Sequence, residues 1–185
     1  DMKKLIAYSS VGHMGFVTLG IFVLNINGLE GAILQMVNHG ITTGALFLCV
    51  GMIYERTHSR ELLSATGVGK YMPVYITFLA FFSLFVGEFM IIAGAFQFST
   101  VLGNFPYLAL ASIPGAVLAA AYMLRMLQKI IWGGTKNADQ SWITDLNGRE
   151  IVVLAPFLFF VLWIGLGAET FIDLMNTSVK QLLQK

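Results

Sequence analysis

Two long stretches of this chain carry no Asp, Glu, Lys or Arg, one between Lys4 and Glu30 and the next between Glu30 and Glu55. The hydrocarbon core of a bilayer is about 30 Å thick and takes roughly 20 residues of helix. Each stretch is long enough to cross it. Charged residues make up 11% of the 185 and hydrophobic ones 57%, with a mean hydropathy of +0.76. A soluble domain carries about 25% charged residues, so a soluble enzyme and a disordered chain are both excluded. A net charge of +1 argues against a nucleic-acid partner. The single cysteine, Cys49, lies in an apolar run and rules out an internal disulfide scaffold. The opening on Asp1, with no leader, reads as a fragment of a longer chain.

The pattern predicts an all-α polytopic membrane fold of about five transmembrane helices, over 5–24, 29–54, 72–98, 105–132 and 151–174. Backbone groups in lipid must be satisfied within the segment, which leaves helix as the choice. Asn25, Asn27 and Gly28 form one tight turn, Gly103 and Asn104 another. A charged loop covers 55–70, and a polar linker over 133–150 ends in a turn at Asp145-Leu-Asn-Gly148. Lys3, Lys4, Arg56, Arg60, Lys70, Arg125, Lys129, Lys136 and Arg149 fall on one side; Lys180 and Lys185 fall on the other. The positive-inside rule then places the N-terminal end in the cytoplasm and the C-terminal end in the periplasm or an equivalent outer space; the expected residence is a bacterial inner membrane. The tail from Asp173 carries Leu174, Val179, Leu182 and Leu183, a weak amphipathic pattern that fits lying on the membrane, docking on a neighbour or, equally, a frayed end to the last helix.

Ionisable residues inside a span are costly and raise a functional hypothesis by default. His13 shares a helical face with Ser9 and Ser10. His39 sits in a polar stripe with Gln35, Asn38, Thr42 and Thr43. Lipid does not solvate such a stripe, so it faces protein or water. A neutral imidazole donates at one nitrogen and accepts at the other, as a proton carrier must. Glu88, in the middle of the third span, is poised to take and pass a proton when neighbours and water balance its desolvation. Arg125 and Lys129 lie one turn apart near the end of the fourth span, either snorkelling to the interface or joining a polar axis. Glu55, Arg56 and Arg60 read as a solvated loop. Gly12 with Gly15, Gly40 with Gly44, and Gly94 read as sites of close helix contact. No phosphate loop, His-Glu-x-x-His or Cys-x-x-Cys occurs, so no metal or nucleotide site is expected. Two intramembrane histidines also fit a haem, but their hydroxyl and amide neighbours suit water better.

Asp1-Met-Lys-Lys-Leu-Ile-Ala-Tyr-Ser-Ser-Val-Gly-His-Met-Gly15 closely resembles a signature of the proton-translocating, antiporter-like subunits of respiratory complex I, NADH:quinone oxidoreductase. Asn38-His-Gly-Ile-Thr-Thr-Gly-Ala-Leu-Phe47, Tyr54-Glu-Arg-Thr-His-Ser-Arg60 and Phe85-Val-Gly-Glu-Phe89 resemble later landmarks of that family, in order. Tyr54 to Arg60 points to its subunit M, or chain 4, branch. The resemblance implies a fourteen-helix subunit with a hydrated axis, of which this chain would be helices ten to fourteen, the upstream half being absent. It implies proton-relay roles for His13, His39 and Glu88. Ser9, Ser10, Gln35, Asn38, Thr42, Thr43, Arg125 and Lys129 would support the axis. It also implies no cofactor in this chain, with NADH, FMN, iron–sulfur clusters and quinone in other subunits. Partners would be other membrane subunits of the complex, the lipid bilayer and protons. The glycine- and proline-containing break that this family places before the glutamate is absent: either residues were lost from this chain or the third span is a continuous helix. Gly165 to Phe171 likewise departs from the family's tyrosine-proline turn. The expected function is translocation of protons along a hydrated polar axis, driven by electron transfer elsewhere. The alternatives are an Mrp-type cation/proton antiporter or membrane-bound hydrogenase subunit, and, in another class, a non-conducting scaffold.

Overall fold

The computed structural model describes residues 1–84, 91, 92, 95, 107–133 and 143–184. Among these, all regular structure is helical. Helix α1 runs Met2–Phe22, α2 Ile26–Thr57, α3 Pro73–Leu84, α4 Tyr107–Trp132, α5 Gly148–Leu166 and α6 Ala168–Leu183. Two 3₁₀ turns, Leu62–Ala65 and Val68–Lys70, lead into α3. Four helices, α1, α2, α4 and α5, are long and apolar enough to cross a membrane. The 3₁₀ segment and α3 make a fifth candidate, bent by 116°. The apolar stretch 151–174 is divided: α5 stops at Leu166 and a separate helix starts at Ala168.

The helix starts follow from their caps. The Asp1 carboxylate accepts the Lys4 N–H, and Asn25 Oδ1 accepts the Gly28 N–H at 2.7 Å. At α5, Asn147 Oδ1 accepts the Glu150 N–H while Glu150 Oε2 accepts the Asn147 N–H, a reciprocal capping box. Two residues past the end of α1, Leu24 has a φ of 50°, left-handed and rare for a branched residue.

The chain divides into two compact units. The first contains 1–8, 41–85 and 120–161; the second contains 9–40, 86–119 and 162–185. The core of the first unit joins Met2 and Ile6 of α1, Cys49 and Ile53 of α2, Tyr75, Leu79 and Phe82 of α3, Met126 and Ile130 of α4, and Leu154 of α5. The Tyr75 hydroxyl donates to the Cys49 carbonyl at 3.2 Å, giving this buried phenol a partner.

In the second unit, α1 and α2 form an antiparallel hairpin and touch at two glycines. A Cβ on Gly20 would lie 2.6 Å from the Gly28 carbonyl oxygen, and one on Gly28 would lie 2.8 Å from the Gly20 carbonyl oxygen. Any side chain here would push the backbones apart. In this unit the close approach therefore falls on glycines other than those expected, while in the first unit the expected Gly44 would bring a Cβ to 3.5 Å from Phe157 Cε1. Gly12, Gly15 and Gly40 would meet nothing within 4 Å, and Gly94 lies outside the described residues. Gly12 and Gly15 border a trough of about 310 Å³ that separates α1 from Ala111, Ser112 and Gly115 of α4.

Helix α6 turns one face inward, with Phe171, Ile172, Met175, Val179 and Leu183 at helical spacing. Val179 is buried, and Phe171 packs edge-on against Trp163 at 5.4 Å between ring centroids. Leu174 and Leu182, expected with Val179 and Leu183 on one stripe, point outward. At 100° per residue Leu174 falls about 140° from Val179, whereas Leu182 falls only about 60° from it and is exposed near the end of the helix.

Candidate functional site

The hairpin of the second unit places two imidazoles together. Helices α1 and α2 are joined by a three-residue turn, so residues at similar distances from it come level at 1.5 Å of rise per residue. The His13 and His39 ring centroids lie 5.2 Å apart, with the rings tilted by 45°. Both residues are half-buried. At that separation two positive charges repel by roughly 3 kcal/mol in an effective dielectric near 20.

The flanking polar residues of this unit are buried. Ser9 is buried and Ser10 half-buried on the His13 face of α1. Gln35 and Asn38 are 2% and 3% exposed on α2, and Gln35 Oε1 has no hydrogen-bond partner. A carbonyl oxygen so buried and unsatisfied in protein is a place for water. Thr42, buried, and Thr43, half-buried, continue the stripe along α2 within the first unit. Arg125 and Lys129 also belong to the first unit, exposed on α4. Glu88, with the Phe85-Val-Gly-Glu motif, lies outside the described residues.

Two groups carry more than the sequence pattern signals. Glu30 is 3% exposed, has one carboxylate oxygen without a hydrogen-bond partner, and feels the charges of Lys180 and Asp173 on α6. Its position between two charge-free runs is the clue that it is buried. It lies about 180° around α2 from His39, at 100° per residue, and so faces away from the imidazole pair.

Arg56 is the other group, and it corrects the expectation of a solvated loop. Its guanidinium uses all five N–H donors. Nε donates to the Thr144 carbonyl at 2.8 Å. Nη1 donates to the Met52 carbonyl and to Glu150 Oε1, and Nη2 to the Asp145 carbonyl and to Glu150 Oε2 at 2.7 Å. The Asp145 carboxylate accepts the Val74 and Tyr75 N–H groups at the start of α3. One cluster thus ties the end of α2 to the starts of α3 and α5. Among the described residues no cluster of three or more His, Cys, Asp or Glu could hold a metal ion.

Residues 1–113 match the family described as NADH:quinone oxidoreductase/Mrp antiporter, transmembrane. The whole chain aligns at 42% identity with NADH-ubiquinone oxidoreductase chain 4 of Marchantia polymorpha, covering 38% of that protein. It aligns at 41% identity, again over its whole length, with NADH-quinone oxidoreductase subunit M of Rhodobacter capsulatus, covering 37% of that protein. In structure it is similar to a chain of respiratory complex I from Thermus thermophilus with bound NADH. The TM-score is 0.81 at 27% identity, covering 96% of this chain and 39% of that one. The chain spans under two fifths of the relatives' length. Its paired intramembrane histidines, its helical hairpin and these matches over all or most of its residues make it a member of the NADH:quinone oxidoreductase/Mrp antiporter transmembrane family.

Proposed function

We propose that this chain is part of a proton-translocating membrane subunit of NADH:quinone oxidoreductase, and that His13 and His39 hand a proton between them within it. The observation that carries this reading is the 5.2 Å approach of the two rings inside membrane-spanning helices. One imidazole donates while the other accepts, and a tilt of 45° leaves room for the transfer directly or through one water. Ser9, Ser10, Gln35 and Asn38 hold the water, and Thr42 and Thr43 extend the polar stripe. Glu88 loads and releases the proton on the outer side. Arg125 and Lys129 supply positive charge at the other end.

Electron transfer in other subunits drives the movement. NADH, FMN, iron–sulfur clusters and quinone belong there, and this chain holds no cofactor. The partners are the remaining membrane subunits of the complex. The residence is a bacterial inner membrane with the N-terminal end cytoplasmic and the C-terminal end periplasmic.

The test uses the intact complex in proteoliposomes. Glu88→Gln and His39→Ala are each compared with wild type for quinone reduction and for the proton gradient formed. A relay loses gradient out of proportion to electron transfer. Equal gradient per electron in both variants would make the chain a scaffold and end the reading.

A further inference from the structure

A trough of about 500 Å³ in the first unit lies between α2 and the start of α5. Its floor is the stripe Gly44, Phe47, Leu48 and Gly51 of α2, with Val153 as its side. The two glycines are seven residues apart on one face and make the hollow. A Cβ on Gly51 would meet nothing within 4 Å, and one on Gly44 would meet only Phe157 Cε1 at 3.5 Å. The apolar floor ends at a polar lip formed by Glu55, Asn147, Arg149 and Glu150.

The lip has a specific charge arrangement. Glu150 is committed to Arg56 by two bonds and is unavailable to a ligand. Arg149 is exposed, and among the described residues its guanidinium has no ion-pair partner. Glu55 is exposed on the α2 side. A cation on one side and an anion on the other match a headgroup bearing a phosphate and an ammonium. The carboxylate of Glu55 accepts hydrogen bonds, which a primary ammonium supplies and a quaternary one does not.

Depth selects the occupant. From Gly44 to Glu55 the helix rises about 16 Å at 1.5 Å per residue. That is about half of a 30 Å hydrocarbon core, the reach of one leaflet. A transmembrane helix of a neighbour would need a groove of full membrane depth. An acyl chain needs half.

We propose that this trough is a phospholipid site. The acyl chain lies along Gly44 to Gly51, the phosphate meets Arg149, and the primary ammonium of an ethanolamine headgroup meets Glu55.

The test is photolabelling of the intact complex in nanodiscs with phosphatidylethanolamine carrying a diazirine in its acyl chain. Labelling is expected on Leu48, Met52 or Val153. Gly51→Trp fills the hollow and is expected to lower labelling at least tenfold, and Arg149→Glu several-fold. A phosphatidylglycerol probe of the same chain is expected to label several-fold less. Arg149 is a surface residue, so its variant keeps the test alive if Gly51→Trp fails to assemble. The proposal is overturned by undiminished labelling in Arg149→Glu or Gly51→Trp. It is equally overturned by equal labelling with both lipids, or by a photoreactive residue at position 51 that cross-links to protein instead of lipid.

Discussion

The imidazole rings of His13 and His39 meet at 5.2 Å although the residues stand on different helices. If they exchange one proton, they behave as a unit. His13→Ala and His39→Ala in the intact complex are each expected to lower the proton gradient per electron by about half or more. The loss is partial because water can bridge a missing ring. The double variant is expected to fall little further than either single one, as coupled residues do. Gradient measurements in proteoliposomes on all four proteins check this; full additivity of the two losses would separate the histidines functionally.

The hairpin that sets this distance depends on bare backbone. Gly20→Leu or Gly28→Leu places atoms where a carbonyl oxygen already sits. The expected cost is about 1–3 kcal/mol or more, with loss of gradient because His13 moves from His39. Gly12→Ala and Gly15→Ala, which face open space, are expected to change stability by less than about 0.5 kcal/mol. Thermal inactivation of the four variants distinguishes them.

Arg56 and Glu150 form a bidentate ion pair whose side chains are 13% and 12% exposed. Removing one partner leaves the other desolvated and unpaired. Glu150→Ala is expected to destabilise the protein by about 2–4 kcal/mol. Arg56→Lys is expected to recover little of this, because an ammonium cannot reproduce the planar fork and its carbonyl contacts. Detergent-solubilised thermal melts compare these variants. A melting point for Arg56→Lys equal to wild type would show that charge alone suffices.

Asp145 caps α3 from far along the chain, accepting the Val74 and Tyr75 N–H groups at 2.9 and 3.1 Å. Asp145→Ala is expected to cost about 1–2 kcal/mol, as other lost caps do. Amide hydrogen exchange in the first turn of α3 is expected to rise selectively. Unchanged protection there would assign the capping to other groups.

Helices α1 and α2 are legible in the sequence because charge-free runs of membrane length permit little else. The polar faces holding His13 and His39 are legible too, since helical periodicity places Ser9 and Gln35 beside them. Their meeting across the hairpin is not. It requires pairing the helices about the turn, and the contact rests on Gly20 and Gly28 rather than on the more conspicuous Gly12 and Gly15. The end of the last span escapes a hydropathy reading because Gly167 interrupts the helix without interrupting the apolar composition. Arg56 misleads because its partner, Glu150, lies 94 residues away. Next to Glu55 it reads as one more solvated charge.

The three-residue link between α1 and α2 bears on biogenesis. So short a connection leaves no room for the first helix to settle in the bilayer far from the second. Contacts so local in sequence are expected to form early. The two histidines sit on this one clip, so their pairing is expected before α4 and α5 are in place.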